Sequence, residues 1–233
     1  MPALLYVVAT PIGNLSDITL RAVDTLKTVD IVACEDTRRT GTLLSHLGVS
    51  KSMLRYDEHT HDGGSRRIIG HLQGGQSVAL VTDAGTPAVS DPGARLVAAV
   101  VSAGFGVVPI PGASAVAAAL SVSGFSGDGY AFLGFLPRRP GRARRVLQEN
   151  LLLGKTIVLF ESPFRASDTL EMIAALAPSA NVMLAREITK IHEEFLRGAP
   201  RGVIEQLKSR PEKGEVVILI GPEAEVSSET DPG

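Results

Sequence analysis

Thr82-Asp83-Ala84-Gly85-Thr86-Pro87-Ala88-Val89-Ser90-Asp91-Pro92-Gly93 is the stretch that decides how this chain of 233 residues is read. It follows the apolar run at residues 77–81, which has the length and continuity of a buried strand. It precedes residues 94–103, which read as a helix. A strand that runs into a Gly/Pro/Ser/Asp loop and then a helix is how α/β proteins set a ligand at the carboxyl edge of a sheet. Glycine lets ligand and backbone approach closely. Proline holds such a loop open, so its amides and carbonyls point at a ligand instead of at each other. The loop is also longer than the usual connection of about two to six residues, and long loops in compact domains are more often functional than structural.

Outward from this loop the same pattern repeats. Strand signals at residues 4–9, 30–35, 53–56, 77–81 and 106–110 alternate with helical patterns at 18–28, 37–47, 65–72, 94–103 and 113–122. Repeated β-α-β units predict a mostly parallel sheet covered on both faces. Leu136-Pro137-Arg138-Arg139-Pro140-Gly141 reads as a linker. A second α/β unit follows, with helices at 142–153, 163–176 and 203–209 and strands at 155–160, 181–185, 193–197 and 215–220. The expected fold class is α/β: an N-terminal α/β domain at 1–135, a C-terminal α/β domain at 136–222, a cofactor cleft between them, and a disordered polar tail at 223–233. Domain interfaces are common places for ligand sites.

Composition narrows the function classes. The chain is 44% hydrophobic, enough for a sizeable core, and its formal net charge of −2 gives no whole-molecule attraction to nucleic acid. Its single cysteine, Cys34, rules out an intramolecular disulfide and sits in the apolar run Ile31-Val32-Ala33-Cys34, where a core thiol is expected. No apolar run approaches the roughly 20 residues of a membrane span, and Met1-Pro2-Ala3 lacks a basic leader. A soluble cytoplasmic protein is expected.

The loop after the first strand, Ala9-Thr10-Pro11-Ile12-Gly13-Asn14-Leu15-Ser16-Asp17, is neither G-x-G-x-x-G nor a Walker A loop. That argues against NAD enzymes, P-loop NTPases and the commonest Rossmann-type methyltransferases. Asp17 has the alternative role of capping the next helix. Pro111-Gly112-Ala113-Ser114-Ala115 opens a helix of small residues, which suits either a bulky ligand or close helix packing. Glu35-Asp36-Thr37-Arg38-Arg39 ends the second strand, either as chemistry or as a helix start with surface ion pairs. Tyr56-Asp57-Glu58-His59-Thr60-His61-Asp62 ends the third; its His-x-His has no third ligand at metal-binding spacing, so no metal is expected. Phe160-Glu161-Ser162-Pro163-Phe164-Arg165 and Ala185-Arg186-Glu187-Ile188-Thr189-Lys190 also follow strands, and charges at several strand ends suit a polar substrate. Arg138, Arg139, Arg142, Arg144 and Arg145 form a basic patch on a near-neutral chain. Phosphate binding is its functional reading and a solvated helix face its alternative. Little aromatic interleaving accompanies the patch, so base stacking is not expected.

These motifs, in this order and over nearly the whole chain, resemble the tetrapyrrole methylase superfamily. Within it they resemble the branch of ribosomal RNA small-subunit methyltransferases I. The resemblance implies S-adenosylmethionine as methyl donor and a cytidine ribose 2′-hydroxyl in the decoding region of small-subunit rRNA as acceptor, on naked rRNA or the 30S subunit. It implies a cofactor bound between two α/β domains, usually of a homodimer. Carried across, the cofactor site comprises Pro11, Ile12, Gly85, Thr86, Pro87, Ala88, Ser90, Ser114, Ala115, Phe160, Ala185 and Gly214. Arg38 joins the five arginines as an RNA contact. The third-strand motif departs from the His-Glu-His-Asn expected of the branch, so no role is carried onto Thr60. Members of the branch usually continue into a helical C-terminal extension; with the sequence ending at Gly233, either that extension's RNA contacts are missing or the chain is a truncated form.

Methyl transfer to a ribose hydroxyl is an in-line displacement at an already activated sulfonium, so positioning should dominate catalysis. The weakly acidic hydroxyl still needs a proton acceptor or a cation for its developing charge. Glu35, Asp36 and Glu187 are the candidate bases and Lys190 the candidate stabiliser. A tetrapyrrole methyltransferase and a non-catalytic RNA-binding assembly factor are the alternative readings.

Overall fold

The computed structural model describes residues 3–57, 61–125 and 129–222. The expected tail at 223–233 and the motif residues Glu58, His59 and Thr60 lie outside the described residues. The chain divides into two compact units, Met1–Ser114 and Ala115–Gly233, each built on its own sheet.

In the first unit, β1 (Leu4–Val8), β2 (Ile31–Cys34), β3 (Ser52–Arg55), β4 (Val78–Leu80) and β5 (Gly106–Ile110) lie in the order β3-β2-β4-β1-β5. All pairings are parallel, so every strand delivers its carboxyl end to the same edge. Successive strand residues face opposite sides. Val32, Cys34 and Ala79 pack with Ala22 and Leu26 of α1 (Leu20–Thr28) and Leu44 of α2 (Thr37–His46). Ile31, Ala33, Val78 and Leu80 pack with Ile68 and Leu72 of α3 (His61–Gln73) and Leu96 and Val100 of α4 (Gly93–Ser102). Burial on both faces explains why β2 and β4 read as continuous apolar runs rather than alternating ones. The helices that follow β1 and β4, neighbours in the sheet, cover opposite faces. Their two loops therefore part at a topological switch point, where open α/β sheets bind ligands.

The second unit comprises α5 (Ala115–Ser121), β6 (Tyr130–Phe135), α6 (Pro140–Leu151), β7 (Thr156–Glu161), α7 (Ala166–Leu176), β8 (Val182–Arg186), β9 (Glu194–Gly198), α8 (Pro200–Leu207) and β10 (Val216–Ile220). The strand order is β6-β7-β10-β8-β9, parallel between β6 and β7 and antiparallel elsewhere. One face carries Ile157, Leu159, Val182, Leu184, Val216 and Ile218 against α6, α7 and α8.

Three details differ from the sequence reading. A strand, β6, occupies residues 130–135, and it belongs to the second sheet, so the units divide at 114/115 rather than at 135/136. A register shift between Phe132 and Phe135, with Gly134 at φ +62°, breaks the alternation by which a strand is recognised. The Pro/Gly cluster at 136–141 is the β6–α6 turn, with Pro140 in the first turn of α6 where proline costs no hydrogen bond. Asp17 does not cap α1; Thr19 does, accepting the Ala22 amide at 3.1 Å, while Asp17 lies in a 3₁₀ turn capped by Asn14.

Candidate active site

Three loops meet at the carboxyl edge of the first sheet. Thr10, just after β1, and Gly85, in the loop after β4, exchange both backbone hydrogen bonds, at 2.9 and 3.1 Å. The Thr10 hydroxyl donates to the Thr82 carbonyl at 3.1 Å. The Thr86 hydroxyl donates to the Ala113 carbonyl, in the loop after β5, at 3.1 Å. The bridge needs glycine at 85: its φ is +84°, and an added Cβ would stand 3.3 Å from Cγ2 of Ile12. Pro11, Ile12 and Pro87 are buried around it, while Ala88 and Ser90 are exposed at the loop tip with φ of 71° and 68°. Asp91 turns the chain into α4, its Oδ1 accepting the Gly93 amide at 2.7 Å. A cavity of about 120 Å³ opens beside the bridge, lined by Thr10, Pro11, Leu15, Arg39, Thr82 and Asp83 among others. Ser114 precedes α5 and Ala115 is its first residue.

Two adjacent carboxylates after β2 have opposite electrostatics. Burial pushes Glu35 above the ordinary carboxylate range. The Thr82 hydroxyl, which donates to Glu35 Oε1, pulls the other way, and the nearby Asp83 and Asp91 carboxylates add to the rise. Asp36 is held down to about 2 by its hydrogen bonds to Arg38, first through the guanidinium and then the backbone amide at 2.8 Å. Asp36 is the N-cap of α2, and it pairs with an Arg38 that is itself largely exposed. Its carboxylate is thus engaged in starting the helix and has little basicity left to offer. Glu35, kept closer to neutrality, is the better proton acceptor. Asp83 completes the cluster, accepting the Asp36 amide at 3.2 Å and pairing with Arg39 at 3.5 Å. Cys34 is fully buried and burial raises its thiol pKa, which leaves it a core residue.

In the second unit the ends of β7 and β8 and the start of β10 share one sheet edge, since Glu161 and Arg186 both pair with Val216. Glu161 is buried and spent on structure: it accepts the Ser162 amide and the Thr169 hydroxyl, both at 2.8 Å. Arg186, also buried, donates to the Lys213 carbonyl at 3.2 Å and the Pro211 carbonyl at 3.4 Å. Glu187 has φ +52° and Thr189 φ +69°, and between them they set a tight turn. The Glu187 carboxylate accepts from Lys190 Nζ and from the Glu215 amide, both at 2.8 Å, and Lys190 also pairs with Glu215 at 3.2 Å. Burial works against both charges, but the Glu187–Lys190 bond and the neighbouring Glu215 outweigh it. Glu187 therefore ends below, and Lys190 above, its ordinary value. Lys190 stays an ammonium at neutral pH, and Glu187 is a poorer base than Glu35. Gly214, at φ +98°, is bare because the Glu187 carboxyl fills its side-chain space: an added Cβ would stand 2.7 Å from it. Phe160 and Ala185 flank Val217 in register, on the sheet face opposite α6–α8.

The structure thus joins Pro11, Ile12, Gly85 and Thr86 with Glu35 on one sheet edge, and Glu187, Lys190 and Gly214 on another. The five arginines are exposed at the start of α6, where only Arg145 has a carboxylate partner among the described residues, Glu149 at 2.8 Å. The sequence reading passed over Thr82, Asp83 and Thr10, which organise the first edge. The available signal was their place as the first polar residues after two apolar strands.

A family model for tetrapyrrole (corrin/porphyrin) methylases matches residues 4–201. A ribosomal RNA small subunit methyltransferase I from Mesorhizobium japonicum is 46% identical over 94% of this chain and 75% of its own length. One from Thermotoga maritima is 43% identical over 93% of this chain and 97% of its own, so relatives of both lengths exist. Among solved structures, cobalt precorrin-4 methyltransferase superposes with a TM-score of 0.70 at 17% identity, covering 94% of each chain. Uroporphyrin III C-methyltransferase of Thermus thermophilus, complexed with S-adenosyl homocysteine, gives 0.66 at 19% identity over 92% of this chain and 96% of that one. At that identity the two structures speak for the fold, and the sequence relatives for the branch: the chain belongs to the tetrapyrrole methylase family and, within it, to the ribosomal RNA small subunit methyltransferases I.

Proposed function

We propose that this chain methylates the 2′-hydroxyl of a cytidine ribose in the decoding region of small-subunit rRNA, acting in the cytoplasm as a homodimer. Its methyl donor is S-adenosylmethionine, in keeping with the family and with the S-adenosyl homocysteine held by a structural neighbour. The names of the relatives support an rRNA substrate. The observation that carries the 2′-hydroxyl is Glu35, a carboxylate pushed up toward neutrality at the edge where three loops are fastened together. A carbon acceptor would ask less of such a base than a hydroxyl does.

The residues fit the cofactor. The Gly85 bridge presents backbone rather than side chains, and α5 is made almost wholly of small residues. By the family resemblance, Pro11, Ile12, Gly85, Thr86, Pro87, Ala88, Ser90, Ser114, Ala115, Phe160, Ala185 and Gly214 would hold it. When bound it supplies the activated methyl group. In this reading Glu35 takes the hydroxyl proton, Thr82 fixes the Glu35 carboxylate, and Lys190 supplies positive charge for the developing alkoxide. Arg38, Arg138, Arg139, Arg142, Arg144 and Arg145 hold phosphates.

The test is transfer of labelled methyl to undermethylated small subunits, deproteinised 16S rRNA and a uroporphyrinogen in parallel, with the modified nucleotide mapped. Label on a cytidine resistant to alkaline cleavage on its 3′ side supports the reading. Label on the tetrapyrrole, or cofactor binding with no transfer to either RNA, overturns it.

A further inference from the structure

Phe135 ends β6 with 59% of its surface exposed. It is not a loose ring. It stands edge-to-face against Phe160, centroids 5.7 Å apart at 62°, and Phe160 is braced in the same way by Phe132 at 4.9 Å. The next residue, Leu136, is buried in the second unit's core. The Arg165 guanidinium donates to the carbonyls of Leu136 and Pro137, at 3.3 and 3.4 Å. Both the ring and the chain leaving it are therefore fixed. Three and four residues on come Arg138 and Arg139, exposed like Arg142 and Arg144, and none of the four has a carboxylate partner among the described residues. Three and four residues of chain span at most about 10 and 14 Å, so the backbone places Arg138 and Arg139 close to the ring.

We infer that Phe135 is a stacking platform for an unpaired nucleobase of the RNA whose phosphates the arginines hold. The inference rests on the rRNA reading above and adds to it a mode of recognition: a base taken out of its helix. Duplex RNA hides its base faces, and single-strand readers characteristically pair a basic track with an aromatic ring. An apolar protein partner would not need the unpaired Arg138 and Arg139 that follow the ring. The sequence reading discounted stacking because the arginines have no aromatics among them. The ring comes instead from the preceding strand.

The experiment measures binding of the full chain to a single-stranded RNA oligonucleotide carrying 2-aminopurine, as a function of salt. Phe135→Leu should weaken binding about 5- to 100-fold without changing the salt slope, because it removes a π face and no phosphate contact. Phe135→Trp should stay within about threefold of wild type, and fluorescence quenching on binding should vanish only in the leucine variant. Thermal unfolding and sedimentation control for fold and assembly. Salt-dependent RNA binding that Phe135→Leu leaves intact overturns the stacking role alone. A wild-type chain that does not bind the RNA overturns the platform and leaves the rRNA reading to the methyl-transfer assay above. A change of assembly in Phe135→Leu with unaltered RNA binding makes the ring a contact between copies and equally overturns the platform.

Discussion

Thr82→Val tests the proton acceptor without touching it. The Thr82 hydroxyl donates to Glu35 Oε1, and this bond favours the ionised carboxyl. Valine keeps the shape at a site that is 8% exposed, and removes only the donor. Hydrogen bonds to charged groups are worth about 1.5–3 kcal/mol when no solvent replaces them. Glu35 is only half-buried, so water makes good part of the loss, and about 1 kcal/mol is the reasonable share. At roughly 1.36 kcal/mol per pH unit that is a rise of about 0.7 units, on a carboxyl already above its usual 4.5. The assay is single-turnover methylation of undermethylated small subunits across pH. The acidic limb should move to higher pH by about 0.5–1 unit, with its plateau little changed. An unmoved limb, or one moved to lower pH, refutes Glu35 as the base. Stability gives a second readout. A carboxyl whose pKa is raised on folding contributes fully below its unfolded value and loses that contribution as pH rises through the folded one. Thr82→Val widens the gap, so the variant should lose most stability relative to wild type near neutrality, and the difference should shrink below about pH 4.5.

Asp36→Asn should keep both the α2 cap and a methylation rate near wild type, whereas Glu35→Gln should lower the single-turnover rate by about 10²-fold or more. The Asp36 carboxyl is held down to about 2, so the stability that Asp36→Ala removes should be present above the ordinary value of 3.8 and fade as pH falls toward 2, as thermal melts would show. Gly85→Ala forces a Cβ into φ +84°, and should cost about 1–3 kcal/mol of stability together with most of the S-adenosylmethionine affinity. Unchanged affinity by calorimetry would remove the loop from the cofactor site. Lys190→Ala should slow single-turnover transfer about tenfold with cofactor affinity little altered, since a charge acting on the developing alkoxide matters chiefly in the transition state. A rate within about threefold of wild type would leave Lys190 as the fastener of its turn.

The first unit was legible because its inner strands β2 and β4 are buried along their whole length and its helices carry one apolar stripe each, so pattern separates them. The second was read less well for a local reason. Its first strand, β6, is an edge strand with a register shift and a left-handed Gly134, so neither period nor length marks it. With that strand unseen, the Pro/Gly turn after it passed for a domain linker. In the candidate site, position at a strand's carboxyl end was enough to nominate Glu35 and Asp36 together. Sequence could not divide their roles, because the division comes from contacts 47 residues apart in the chain: Thr82 and Asp83 reach back to Glu35 and to the Asp36 amide. Gly214 shows the same limit from the other side. The resemblance put it in the cofactor site, and the group close to it is the carboxyl of Glu187.

Backbone strain gathers at the two sheet edges proposed to carry the chemistry. Among the described residues, the non-glycine residues with positive φ are Ala88, Ser90, Glu187 and Thr189. All four lie in the loops that follow β4 and β8, and Thr189, being β-branched, is the most costly of them. Each departure costs about 1–3 kcal/mol and persists only where neighbours over-determine it. The neighbours are identifiable. In the first loop they are the Thr10–Gly85 bridge, the Thr86–Ala113 bond and the Asp91 cap on Gly93. In the second they are the Lys190 and Glu215 bonds to the Glu187 carboxylate, seated against bare Gly214. Glycine at the four strained positions would relieve the strain at little steric cost, yet the chain carries side chains there and spends hydrogen bonds to keep them. Structural turns have no need of that arrangement. Loops that must present fixed amides and charges to an incoming ligand do, because rigidity secured at folding is entropy not lost on binding.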